Sequence, residues 1–180
     1  MYHLKLFLLP LGASLCSLAN GANTGGNVPS SFNLYAYGDG IGGYPIVYLD
    51  GVAHVGQQSQ LNTSTQVARF SLSSNTLVAN PNSTTDNSGF SNATFFVPGP
   101  NDSSPMAGFV NGTPPATAIS SGWTFYGQTL LLVGSSGQWD GLFSAEPTEK
   151  DGIFSLNWNQ TSDTAIPLSV RLTTPSSATN

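Results

Sequence analysis

Cationic side chains are the scarcest feature of this chain, with four Lys and Arg among 180 residues against nine Asp and Glu. Charged residues of both signs reach only 7%, where an average soluble domain has about 25%. So few cations cannot neutralise a run of phosphates, and nucleic-acid partners are excluded. The shortage of Glu, Lys and Arg also rules out a coiled coil or a long helical bundle. Cysteine occurs once, at Cys16, so no disulfide framework is possible. Histidine occurs twice, at His3 and His54, which is too little for a zinc or copper site built on His and Cys. No apolar run approaches the ~20 residues needed to span a bilayer, so no membrane association is expected. Neither a metal nor a cofactor is expected.

Ser, Thr and Asn fill nearly a third of the chain, with 20 Gly and 12 Pro beside them. Apolar residues still make up 39% and aromatics 11%. Such a chain can bury a core, and wholesale disorder is excluded. The length suits one domain.

The first 19 residues read as an export signal. His3 and Lys5 begin it, Leu6 to Ala13 form an apolar stretch, and Ser17-Leu18-Ala19 places small residues for cleavage after Ala19. Cys16 and Lys5 leave with that segment. The remaining cations are Arg69, Lys150 and Arg171. A secreted, extracellular or wall-bound product is expected. Six Asn-x-Ser/Thr acceptors follow, at Asn62, Asn82, Asn92, Asn101, Asn111 and Asn159. Most fall in stretches that read as loops, where a glycan fits. Pro114, directly after Thr113, makes Asn111 the least favourable.

From Ser31 onward the apolar period is two. Phe32, Leu34 and Ala36 alternate with Asn33, Tyr35 and Tyr37. Val67, Phe70 and Leu72 stand among Arg69, Ser71 and Ser73. Phe154, Leu156 and Trp158 alternate with Ser155 and Asn157, and Leu168, Val170 and Leu172 with Ser169, Arg171 and Thr173. This pattern predicts half-buried antiparallel strands. Asp50-Gly51 predicts a type I′ hairpin, and Gly127-Gln128 a second one between 123–126 and 129–133. The turn at 134–137 is expected to lead into one strand over 139–143. The expected fold is all-β: a single-domain antiparallel β-sandwich or barrel, jelly-roll-like, of about ten short strands. Its bounds are 31–174, with flexible segments at 20–30 and 175–180.

Titratable groups are few. His54, inside the second strand of the Asp50-Gly51 hairpin, reads as a strand residue facing solvent or a polar partner. No Gly-x-Ser-x-Gly elbow supports a serine hydrolase. A glycosidase needs two carboxylates about 5–10 Å apart. Candidates are Asp39, Asp50, Asp140, Glu146, Glu149, Asp151 and Asp163, of which Asp140 stands in the most suggestive setting, between Trp139 and Gly141. The Gly-rich stretch 37–44 is a strand connection rather than a phosphate loop. Among these alternatives, no catalytic residue is assigned.

The aromatics carry the binding expectation. Sugar rings have apolar faces that stack on flat side chains, while neighbouring polar groups meet the hydroxyls. Tyr35, Tyr37, Tyr44, Trp123, Tyr126 and Trp139, with Asp140, are the candidate ligand-binding residues. Trp158, on the face of Phe154 and Leu156, is expected in the core.

Residues 31–55, from Ser31-Phe32-Asn33-Leu34 through Asp50-Gly51-Val52-Ala53-His54-Val55, and the strand–turn–strand 70–77 resemble the small secreted, cysteine-poor all-β proteins of filamentous fungi. The likeness covers the mature chain in style, without a diagnostic motif. It implies a protein of the cell wall or surface, or an effector or elicitor acting on a host. The leading expectation is thus a non-enzymatic, N-glycosylated secreted protein that binds cell-wall polysaccharide. The second is an effector bound to a host surface protein. The third is a small glycoside hydrolase using Asp140 with a Glu from 146–149. The pattern specifies no oligomeric state.

Overall fold

A computed structural model describes residues 28–61, 65–82 and 90–176. The expected export signal, Asn62 and most of the two terminal segments lie outside the described residues. Val28, within the segment expected to be flexible, packs against the core.

The described chain is all-β apart from one 3-10 turn, Gln58–Gln60. In chain order it forms β1 (Phe32–Asn33), β2 (Tyr35–Gly38), β3 (Ile41–Leu49), β4 (Val52–Gly56) and β5 (Gln66–Ser73). Next come β6 (Thr76–Pro81), β7 (Ala93–Phe96), β8 (Gly108–Val110), β9 (Trp123–Tyr126) and β10 (Thr129–Val133). The last are β11 (Trp139–Asp140), β12 (Phe143–Pro147), β13 (Ile153–Trp158), β14 (Ile166–Pro167) and β15 (Ser169–Arg171). The strands outnumber the ten expected, in part because two predicted strands, 32–37 and 139–143, are each divided. The chain breaks at Leu34, whose carbonyl accepts from Ile46 N–H at 3.0 Å. It breaks again at Gly141-Leu142, between β11 on β10 and β12 on β13. It bends at Leu168, whose N–H donates to the Phe143 carbonyl at 2.9 Å.

Six strands close a ring in the order β3, β5, β6, β7, β8, β4 and back to β3. All six pairings are antiparallel, and Val52↔Gly108 supplies the joint between β4 and β8. The architecture is thus a closed antiparallel barrel with outer strands, which removes the free edges of the six. On one side the first half of β3 continues into β2, then β15, then β10. β9 flanks the far edge of β10, and β11 lies further along the same edge as β15. On the other side β4 continues into β13, β12 and β14.

The core follows the alternation. Ala68 and Phe70 of β5 point inward, and Phe70, Phe95 and Phe109 pack with ring centroids 5.4–6.1 Å apart. Tyr48 stacks on Phe90 at 4.1 Å. Trp123 carries the core outward from the barrel, meeting Phe95 at 5.5 Å and Phe143 and Trp158 at 6.0 Å. Each such side chain contributes about 1.5–3 kcal/mol on burial. Val67 does not share the face of Phe70, since an odd spacing puts it on the opposite side of β5. There it faces Val47, itself fully buried. With both sheet faces covered at this point, alternation does not mark the inner one.

Turn chemistry fixes the register. Asp50 and Gly51 have φ of 50° and 85°, and Leu49 faces Val52 across them. This is the type I′ geometry in which glycine carries no steric penalty. Tyr126 likewise faces Thr129 across Gly127-Gln128. The Gly-rich stretch is itself a hairpin: Gly38 faces Ile41, and the register shift beside it leaves Gly43 as a bulge at φ 82°.

Candidate functional site

The outer face of the β9–β10–β15–β2 sheet gathers four of the expected aromatics. Tyr126, Thr129, Arg171 and Tyr35 are successive cross-strand partners on four neighbouring strands. Residues directly opposite share a face, so this row spans about 14 Å at ~4.8 Å per strand. Tyr37 stands two residues beyond Tyr35 on the same face. Its hydroxyl donates to the Thr173 carbonyl at 2.7 Å, and the Arg171 guanidinium lies 5.5 Å from its ring centre. Burial raises the Tyr37 phenol above its ordinary range, against the lowering effect of Arg171. Trp139 faces Val133 on β11, and Val133 shares the side of Thr129.

Tyr126 is 70% exposed and Trp139 53% exposed, and their rings meet edge to face at 6.1 Å. The polar turn 134–138 brings Trp139 out beside β10, and the hairpin at Gly127 brings Tyr126 up to meet it. Tryptophan is highly buried on average, so an indole this open stands out on the surface. The rows of this face hold one cation, Arg171, and no carboxylate.

Two of the expected aromatics are not part of it. Trp123 is fully buried, so the expectation that it contacts ligand is corrected: Leu132, opposite it, points into the core. Tyr44 faces Ala36, a core residue, and leans on Phe154 at 6.4 Å. It meets Tyr35 only along a shallow groove of about 520 Å³, lined also by Gly42, Gly43 and Pro45.

Asp140 takes the opposite side of β11 from Trp139, because it faces Leu132. There it lines a cleft of about 700 Å³ between the 98–105 loop, the β10–β11 turn and the end of β13. Gln138, Asn159, Gln160, Asp102 and several serines supply polar walls, and Leu142 and Trp158 the apolar part. The Asp102 carboxylate accepts the Gly99 N–H at 2.7 Å, which ties down the loop. Asp102 carried no local signal in the sequence, since the loop that holds it reaches β11 only through the tertiary fold.

The glycosidase pair does not assemble. Glu146 and Glu149 are not among the residues lining the cleft that holds Asp140. Glu146 instead accepts hydrogen bonds from Ser162, Asn157, Gln160 and Thr164. These lower its carboxyl below the ordinary range, Ser162 most strongly. The arrangement fastens the 160–164 loop to β12.

His54 is 9% exposed rather than open to solvent, with Nδ1 3.4 Å from the Val52 carbonyl. Burial lowers its pKa. Among the described residues no three His, Cys, Asp or Glu side chains form a metal-ligand group, and no helix is long and apolar enough to cross a membrane. Asn82, Asn92, Asn101, Asn111 and Asn159 are all exposed.

No known family model, no curated protein and no solved structure matches the chain.

Proposed function

We propose that the chain is a secreted, N-glycosylated, non-enzymatic protein of a filamentous fungus that acts at the cell wall or in the extracellular matrix. It binds polysaccharide there on the outer sheet face, with Tyr126 and Trp139 as the stacking pair and Tyr35 and Tyr37 as the continuation of the platform. The observation that carries this reading is the exposure of Tyr126 and Trp139 on a face free of carboxylates. A neutral polymer suits it better than a polyanion, for Arg171 is its sole cation, or than a polycation, for no acid faces it.

The size of the effect follows from exposure. Covering half of a tryptophan surface of roughly 250 Å² at about 25 cal/mol/Å² gives about 3 kcal/mol at most. Partial coverage leaves at least about 1.4 kcal/mol, a tenfold change in affinity. The test is retention of the secreted protein on insoluble chitin, β-glucan and cellulose. Wild type is retained on one polymer, and Trp139→Ala and Tyr126→Ala are each released while remaining folded. Absence of retention on all three overturns the polysaccharide reading and favours a host surface protein as partner.

A further inference from the structure

The 700 Å³ cleft has the size of a ligand site, yet it lies across β11 from the aromatic face. One of its lining residues, Asn159, is the acceptor of the sequon Asn159-Gln160-Thr161. Asn159 is exposed, in the left-handed region at φ 52°, with its N–H donated to the Leu142 carbonyl at 2.8 Å. The backbone at this acceptor is therefore held at the cleft wall rather than on a free loop. The walls offer what a short neutral glycan needs. Gln138, Gln160 and the serines both donate and accept, Asp140 accepts from hydroxyls, and Leu142, 45% exposed, gives an apolar patch for a ring face.

We propose that the cleft is the seat of the chain's own glycan, carried on Asn159 and folded back between β11 and the 98–105 loop. The proposal rests on the secretory part of the reading above. In the modification, Nδ2 of Asn159 forms a bond to the anomeric carbon of an activated N-acetylhexosamine chain and gives up one proton. The lipid diphosphate of that donor leaves from the same carbon. The seated glycan covers Asp140 and Asp102, so this cleft is closed to outside ligands and the Tyr126–Trp139 face is left open to them.

The chain's few cations make the test clean. Cleavage after Lys150 and Arg171 releases residues 151–171, whose single acceptor is Asn159. The protein is secreted from a glycosylating eukaryotic host and treated with an amide-cleaving glycosidase, folded and unfolded. Glycan loss from this peptide is then followed by mass. The expected result is release about tenfold slower from the folded protein, equivalent to about 1.4 kcal/mol of seating, with fast release from Asn82 and Asn92. Gln138→Ala and Asp140→Asn, both on the cleft wall, restore fast release. Equal rates at Asn159, Asn82 and Asn92 in the folded protein overturn the seat. So does an unmodified Asn159 beside modified neighbours. A chain modified at none of its acceptors overturns the secretory reading and the seat together.

Discussion

Trp123 offers the sharpest perturbation of the core. It is fully buried where the barrel meets the outer strands, against Phe95, Phe143 and Trp158. Its indole Nε1 finds no acceptor among the described residues. A buried donor left in this way costs about 1–3 kcal/mol. Trp123→Ala removes the whole ring and leaves a cavity, for a loss of about 3–5 kcal/mol. Trp123→Phe keeps one ring and removes the donor. It loses the equivalent of two or three methylene groups, about 2 kcal/mol, and recovers a similar amount from the N–H. The two effects nearly cancel, so Trp123→Phe lies within about 1 kcal/mol of wild type. At about 2–4 °C per kcal/mol for a domain of this size, Trp123→Ala lowers Tm by roughly 6–20 °C and Trp123→Phe by at most about 4 °C. Denaturant unfolding followed by circular dichroism reads both. A Trp123→Phe variant as unstable as Trp123→Ala refutes the reasoning, because the indole nitrogen then has a partner that contributes to stability. Since Trp123 points away from the outer face, Trp123→Phe also keeps polysaccharide retention unchanged.

Other consequences concern pH and the turns. His54 is held below its unfolded value of about 6.5 by burial, so the unfolded chain takes up the proton first. Its contribution is full above that value and is lost as pH falls through it toward the folded pKa. Tm thus drops between pH 7.5 and 5, and His54→Asn flattens the drop; an unchanged slope in the variant excludes His54 as its source. Glu146 acts lower, because hydrogen bonds depress its pKa. Its stabilisation is present above the ordinary glutamate range and fades as pH falls through the folded pKa. Proteolysis of the 160–164 loop accordingly accelerates in strong acid, and in Glu146→Gln at any pH; equal cleavage of that variant and wild type near neutral pH argues against the clasp. Gly43→Ala places a Cβ 2.7 Å from Pro175 and 2.9 Å from the Tyr37 hydroxyl at φ 82°. The left-handed backbone alone costs about 1–2 kcal/mol. A lower Tm and a shifted Tyr37 environment are expected, and wild-type values for both contradict the bulge.

Local chemistry was legible in the sequence where it acts over a few residues. Asp50-Gly51 and Gly127-Gln128 turn as their residue types dictate, and Leu168 and Val170 are buried on the side that alternation marks. The fate of Trp123 was also written there: it alternates with Thr124 and shares a side with Phe125, both buried by the same period. Trp139 belongs to a strand of two residues, too short for any period to place it. Barrel closure depends on Val52 meeting Gly108, and the cleft on Asp102 meeting the β10–β11 turn. Such long-range joints leave no local trace, so the sequence marks Asp140 through its neighbours Trp139 and Gly141 and gives no sign of Asp102 beside it in the cleft. His54 reads as polar by type, yet the cover on both faces of β4 buries it.

The most direct test of the account uses its own fluorophores. Of the three tryptophans, Trp123 and Trp158 are buried and Trp139 is exposed. Iodide quenching of the folded protein therefore reports Trp139 almost alone. With soluble oligomers of the polymer that retains the protein, quenching falls to that of the buried pair as the sugar covers the ring. Quenching that stays unchanged at saturating oligomer contradicts the account, because the polysaccharide then binds somewhere other than the Tyr126–Trp139 face.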